Sequence, residues 1–209
     1  MTADPCLYPG SEVLRNLPGI RDQTALDKFE RVAVALRMEQ GVPTGQFDLN
    51  HLKTIHRHLF QDVYPWAGQI RSVHLSKGGS VFLPPRFIET GMQDISSRLQ
   101  SRNHLQGMDR RTFVAHASVI IGDLNHIHLF REGNGRTQMH YLLQLAQQAG
   151  HPLDVRRIEP ERWINASITA NRGDYSGMAH TLHQSAAAWE RVREVRQLRQ
   201  RDSAKDRGR

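Results

Sequence analysis

Apolar residues recur at helical spacing along most of this chain, and the few interruptions are where polar, reactive side chains collect. Leu26, Phe29, Val32, Ala33 and Leu36 form a first stripe, with Asp22 or Thr24 placed to cap it. Gly41-Val42-Pro43-Thr44-Gly45 breaks the pattern, and Asp48 can cap a second helix bearing Leu52, Ile55 and Leu59. A third helix reads from Phe87 through Leu99. Two more follow, one through Phe113, Ala117, Ile120, Ile121 and Leu124 and one through Met139, Leu142, Ala146 and Ala149. Trp163, Ile164, Ser167 and Ile168 mark another helix, Asn171 to Tyr175 a loop, and Met178 to Val195 a closing helix.

One stretch keeps a different rhythm. Val73 and Leu75, then Val81 and Leu83, flank Ser76-Lys77-Gly78-Gly79-Ser80, which reads as a short hairpin with a glycine turn, ended by Pro84-Pro85. The first 20 residues, punctuated by Pro and Gly, read as an extended arm. The expected fold class is therefore all-α, mainly helical, with a small β-hairpin flap at about 70–85.

Composition narrows the class without changing it. A chain of 209 residues with 38% hydrophobic content is long enough to bury one sizeable core. No apolar run reaches the length of a membrane span, and the N-terminus lacks a basic-then-apolar leader pattern. The single cysteine, Cys6, forms no internal disulfide. The expected location is the cytoplasm, or a host cell into which the protein is delivered. Of the net charge of +7, residues 190–209 carry +4, from eight basic and four acidic side chains. The expected organisation is thus a domain over 1–189 followed by a basic helical tail over 190–209. The tail reads as a solvated helix end, with non-specific nucleic-acid contact as the minor reading.

The densest chemistry lies in residues 128–136, His-Leu-Phe-Arg-Glu-Gly-Asn-Gly-Arg, between two helices. Gly133 and Gly135 permit a non-helical bend, and a bend feeding a helix N-terminus gathers unpaired N–H groups and the positive end of the helix dipole. Such a place suits a phosphate. His128 can take a proton near neutral pH. Glu132 is a hard oxygen ligand of the sort that holds Mg²⁺ beside phosphates. Asn134 can donate to a phosphoryl oxygen, and Arg136 presents a fork that matches one. Together they form a set for phosphoryl or nucleotidyl transfer, which asks chiefly for positioning and charge neutralisation.

Residues 128–136 resemble the signature of the Fic domain family, H-x-F-x-[D/E]-G-N-G-R-x-x-R. The resemblance extends over about 7–185 through Leu7-Tyr8-Pro9-Gly10, Leu17-Pro18-Gly19-Ile20, Trp66-Ala67-Gly68-Gln69-Ile70-Arg71, Ser76-Lys77-Gly78-Gly79 and Pro84-Pro85. It implies a Fic fold and a protein adenylyltransferase that joins AMP from ATP to a Ser, Thr or Tyr hydroxyl. His128 would be the base, and Glu132 the ligand of Mg²⁺. Gly133, Asn134, Gly135 and Arg136 would bind the phosphates, Phe130 would anchor the loop in the core, and Tyr175 would lie where the adenine sits. Val73, His74, Leu75, Ser76, Lys77 and Gly78 would form the flap edge on which the target protein docks.

The last Arg of the signature falls on Met139, which offers no charge to a γ-phosphate. The alternative this opens is a Fic-fold protein with kinase-like transfer, or a binding module. Family members also carry an inhibitory [S/T]-x-x-x-E-[G/N] motif. Here the only Glu followed by Gly or Asn is Glu132, within the signature itself. A toxin-like protein restrained by a separate small antitoxin protein is therefore expected. A rival from other chemistry is a metal hydrolase built on His126 and His128 with His116 and His140, although two histidines two residues apart suit a strand better than these helical flanks.

Overall fold

Asp22 and Asp48 open the first two helices as the sequence suggests, their carboxylates accepting from the Ala25 and His51 N–H groups at 2.8 Å each. A computed structural model of the chain describes residues 4–186. It contains α1 (Gln23–Glu39), α2 (Leu49–Phe60), α3 (Ile88–Ser101), α4 (Arg110–Ile127), α5 (Asn134–Gln148) and α6 (Pro160–Ala170). A seventh helix, α7, begins at 176 and continues to 186, the last described residue. The tail over 190–209, and the end of the closing helix expected to reach Val195, lie outside the described residues.

Helix α5 packs against both α2 and α4, α1 against α2, α3 against both α4 and α2, and α6 against α4. Leu52, Ile55, Leu59 and Phe60 meet Phe113, Ala117, Ile121 and Leu124, and Tyr141, Leu142 and Leu145 close the centre. Every one of these side chains is almost wholly buried. Tyr141 brings a hydroxyl into that core and satisfies it on the Phe47 carbonyl at 2.8 Å. Among the described residues no helix is long and apolar enough to cross a membrane.

One expectation needs correction. On α1 the stripe Phe29, Val32 and Leu36 faces outward, while Leu26 and Val34 are buried. The inward face runs through Leu26, Glu30 and Val34, one helical step apart. Glu30 takes an inward position because Tyr64 and Arg136 meet its carboxylate there, so periodicity in apolar residues alone selected the wrong side. The short hairpin expected within 70–85 is present, with its glycine turn at Gly78-Gly79. Its ladder consists of β1 (Ser76–Lys77) and β2 (Ser80–Val81), paired antiparallel, with one further bond from Phe82 N–H to the Leu75 carbonyl. Gly78 and Gly79 both take positive φ, 56° and 77°, which gives the two-residue turn the twist of its strands.

The N-terminal arm doubles back on itself through a bridge between Leu7 and Leu14. It then reaches the signature loop, where Asp4 pairs with Arg131 at 2.6 Å.

Candidate active site

The loop from His128 to Gly133 joins the end of α4 to the start of α5, and three separate devices fix it. Phe130 is buried and its ring stacks on His56 at 3.9 Å, as expected for an anchor. The Asn134 side chain clamps the Phe130 backbone, accepting from its N–H at 2.9 Å and donating to its carbonyl at 2.7 Å. His56 accepts from the Gly68 N–H on Nδ1 at 2.8 Å, so its Nε2–H donates to the Glu132 carbonyl at 3.0 Å. The sequence expectation that the Asn134 amide donates to a phosphoryl oxygen is thereby revised. Both ends of that amide are already bonded, and what Asn134 offers an anion is its backbone N–H.

That N–H is one of a group. Helix α5 starts at Asn134, and its first internal bond runs from the Thr137 N–H to the Gly133 carbonyl. The N–H groups of Asn134, Gly135 and Arg136 therefore precede any intrahelical partner. The Gly133 N–H donates to the carboxylate of Glu132 at 2.8 Å. The Glu132 side chain is 44% exposed, with the Arg136 guanidinium 3.8 Å from the same oxygen, and among the described residues its second oxygen has no partner.

His128 is the C-cap of α4 and takes a left-handed backbone conformation, φ 48° and ψ 65°. This turns its ring out of the helix and onto Phe82 of the flap stem, 3.7 Å away and only 8° from parallel. Its Nδ1 lies 3.3 Å from the Asn125 carbonyl oxygen. A carbonyl can only accept, so Nδ1 carries the hydrogen and Nε2 keeps a free lone pair. Burial pushes the imidazole pKa down to about 4, and the charges of Arg71 and Lys77 push the same way. The ring is neutral near pH 7, which leaves the Nε2 lone pair unprotonated.

Arg136 projects from the first turn of α5 over the Phe60 ring, 4.7 Å from its centroid, and pairs with Glu30 at 2.6 Å. Tyr64 donates to the other oxygen of Glu30. The guanidinium is thus held by α1 rather than swinging free, and its side chain remains one-third exposed. Met139, one turn further along, is half-buried against the core.

Tyr175 lies on another wall. Its hydroxyl donates to Asp123 at 2.5 Å, and its ring rests so close to Gly122 that a Cβ there would come within 2.7 Å. It borders a cavity of about 280 Å³ together with Leu83, Gly91, Asp123, His126 and Asn171. Asn171 joins the two sides of this cavity, meeting His126 at 2.6 Å and donating to the Val81 carbonyl of the flap at 3.4 Å. On the flap, His74, Ser76, Lys77 and Gly78 are exposed, with Val73 and Leu75 half-buried.

Five residues that matter to this geometry carried no assignment from the sequence: Glu30, His56, Arg71, Phe82 and Asn171. Each acts on a partner far along the chain, where neither periodicity nor spacing reaches. The only available signal was that Arg71 closes the Trp66-to-Arg71 segment. The hydrolase alternative fares poorly, since among the described residues no three His, Cys, Asp or Glu side chains converge.

The two neutral buried imidazoles give an acid-stability prediction. His56, like His128, is pushed down to about 4, mainly by burial. In the unfolded chain each takes a proton near the usual 6.5, whereas in the fold neither does until about 4. Between those values the unfolded chain binds more protons, so stability falls as pH drops through the window. The loss approaches on the order of 3 kcal/mol per imidazole by pH 4. Urea midpoints measured from pH 7 to 4.5 should fall steadily, and a flat series would exclude neutral burial of both rings.

A model of the Fic/DOC family matches residues 46–146. The chain is 41% identical over 182 residues to the probable protein adenylyltransferase y4lH of Sinorhizobium fredii, spanning 87% of this chain and 95% of that one. It is 34% identical over 177 residues to the probable protein adenylyltransferase Fic of Escherichia coli K12, spanning 84% and 88%. Among solved structures, BepC of Bartonella tribocorum with bound AMPPNP superposes with a TM-score of 0.78 at 27% identity, over 86% of this chain and 95% of that one. A Bartonella quintana Fic domain with bound ADP gives 0.78 at 29%, over 86% and 93%.

Proposed function

The chain belongs to the Fic/DOC family, and from that membership we propose that it is a protein adenylyltransferase, moving AMP from ATP onto a hydroxyl of a target protein. One observation carries the reading: a neutral imidazole with a free Nε2 stands at one end of a short loop whose other end is an open helix N-terminus. The acceptor hydroxyl loses its proton to Nε2 as its oxygen bonds to the α-phosphorus. The bond from that phosphorus to the bridging oxygen breaks, and pyrophosphate leaves. The N–H groups of Asn134, Gly135 and Arg136 receive phosphate oxygens, and the Arg136 guanidinium offsets charge on the leaving side. The cavity bordered by Leu83, His126 and Tyr175 is the seat for the nucleoside, with the Tyr175 ring forming its wall and its hydroxyl kept on Asp123.

A single exposed carboxylate, Glu132, suits Mg²⁺ that arrives with the nucleotide rather than a resident ion, because Mg²⁺ beside phosphates needs only one or two protein ligands. When bound, it would offset charge on the phosphates. The edge of the flap, Val73 to Gly78, receives an extended segment of the target protein by main-chain pairing. The same reading includes a toxin-like protein acting in the cytoplasm or in a host cell, restrained by a separate small antitoxin protein.

Met139 favours one competing reading, transfer of a different group or none. ATP labelled separately at the α and γ phosphates, incubated with the protein, Mg²⁺ and a bacterial lysate, distinguishes them. Label from the α position alone is the expected result. Label from γ alone would establish kinase-like transfer, and label from neither would make the chain a binding module.

A further inference from the structure

We propose that Arg71 is a positioning residue that registers the catalytic imidazole against the target-docking flap. The inference rests on the reading of His128 as the base and adds to it the group that holds the base in place.

The guanidinium of Arg71 is buried, with the residue 4% exposed, and among the described residues no carboxylate pairs with it. Four carbonyl oxygens receive it instead. Nε donates to the His128 carbonyl at 2.6 Å, and Nη1 to Val73 at 2.6 Å. Nη2 donates to Leu83 at 2.5 Å and to Ile127 at 3.1 Å. The Arg71 backbone N–H adds a bond to the Leu129 carbonyl at 3.0 Å. Three of these oxygens lie at or just past the end of α4, where a helix leaves carbonyls unpaired and its dipole is negative. The remaining two belong to the two stems of the flap. One side chain therefore joins both stems to the residue that carries the base.

The arrangement has a reason beyond satisfying a buried charge. His128 takes a left-handed backbone conformation that L residues adopt at a cost, and its ring packs on Phe82 of the flap stem. The carbonyl bond from Nε holds that conformation at the backbone. The bonds to Val73 and Leu83 hold the stem that carries Phe82. A target segment lying along the flap edge is thereby set at a fixed offset from Nε2. Lysine cannot substitute, because its three donors radiate from one atom and do not span carbonyls on both sides.

The charged groups acting on His128 are Arg71 and Lys77, both of which disfavour its protonation. That gives the role a signature which loss of packing alone would not produce. Arg71→Lys keeps the charge and loses the fork, whereas Arg71→Met loses both. With α-labelled ATP and a lysate acceptor, both variants should lower the rate at saturating ATP by about 10²-fold, the scale of a misplaced reacting group. The ATP concentration giving half that rate should stay within about twofold, since residues 133–136 are untouched. The acid limb of the pH–rate profile should stay in place for Arg71→Lys and move to higher pH for Arg71→Met.

A wild-type rate in Arg71→Lys would overturn the proposal, and so would a parallel loss of rate and ATP affinity in that variant. Should Arg71→Met not fold, Arg71→Lys decides by hydrogen exchange. The Phe82 and Leu83 amides, which bond to Leu75 and His126, should lose protection while α2 and α5 keep theirs. Unchanged protection of those two amides would also overturn it. His128→Ala separates the two levels. If it retains activity, the reading of the base fails; if it is inactive while Arg71→Lys is normal, only the role of Arg71 fails.

Discussion

His128→Ala should reduce AMP transfer by at least 10²- to 10⁴-fold, the range for removing a general base, while leaving the protein folded. The second half of that expectation follows from how the position is held. Arg71 grips the His128 carbonyl, and the His128 N–H bonds to the Leu124 carbonyl at 3.2 Å, so both main-chain ties survive the substitution. What is lost is a ring stacked on Phe82 at the surface end of the core, together with one weak bond to Asn125. His128 already takes positive φ, so alanine adds little backbone cost there, and the rest of the core absorbs the lost packing. Binding of ATP, which depends on the start of α5, should remain within a few-fold of wild type. A variant that melts normally, binds ATP and still transfers AMP at the original rate would remove His128 from the mechanism. A variant that has lost ATP binding would show that the imidazole contacts the nucleotide instead.

Much of this site was legible because its parts are neighbours in sequence. The signature loop places base, carboxylate, glycine bend and guanidinium within nine residues, and helical periodicity on either side predicts α4 and α5. The caps Asp22 and Asp48 were legible for the same reason, since a cap acts on an N–H three residues away. What stayed hidden are the ties between distant segments. Arg71 meets His128 across 57 residues, and Arg136 meets Glu30 across 106. No local pattern signals such pairs, and Glu30 misled the assignment of the α1 face because a buried carboxylate looks like a solvent position until its partners are known. Asn134 shows the same limit within the signature. Its residue type suggested an anion contact, whereas the tight turn brings the Phe130 backbone within reach of its amide first.

These ties also explain why the loop can present charge-bearing groups without collapsing. The catalytic imidazole, the phosphate-facing guanidinium and the loop backbone are each backed by a side chain that meets no substrate. His128 is backed by Arg71 and Phe82, Arg136 by Glu30 and Phe60, and the Glu132 backbone by His56. Such backing keeps donors aimed before the substrate arrives, which is where electrostatic stabilisation of a transfer reaction gains most.

Gly133→Ala is expected to be the most damaging single-methyl change in the chain, through two causes that act at the same atom. Gly133 takes φ +80° and ψ 6° as the residue preceding α5, a conformation that disfavours any Cβ by about 1 kcal/mol. A Cβ built there would lie 2.4 Å from Cζ and 2.5 Å from Cε2 of Phe60, well inside contact distance. Phe60 cannot retreat. Its ring is fully buried, stacked on His56 at 4.7 Å and covered by the Arg136 guanidinium. Overpacking of a filled site typically costs about 1–3 kcal/mol, so the combined loss should be about 2–4 kcal/mol of stability. The strain falls on the hinge between Glu132 and the N–H groups of α5, and AMP transfer should drop by 10² or more because those groups shift together. Gly135→Ala is the control. It lies inside the helix with nothing within 4 Å of an added Cβ, so its stability should hold or rise slightly, by up to about 1 kcal/mol. Thermal melts of the two variants side by side decide the matter: a Gly133→Ala protein that melts with the wild type would mean that Phe60 does not close the floor of this loop.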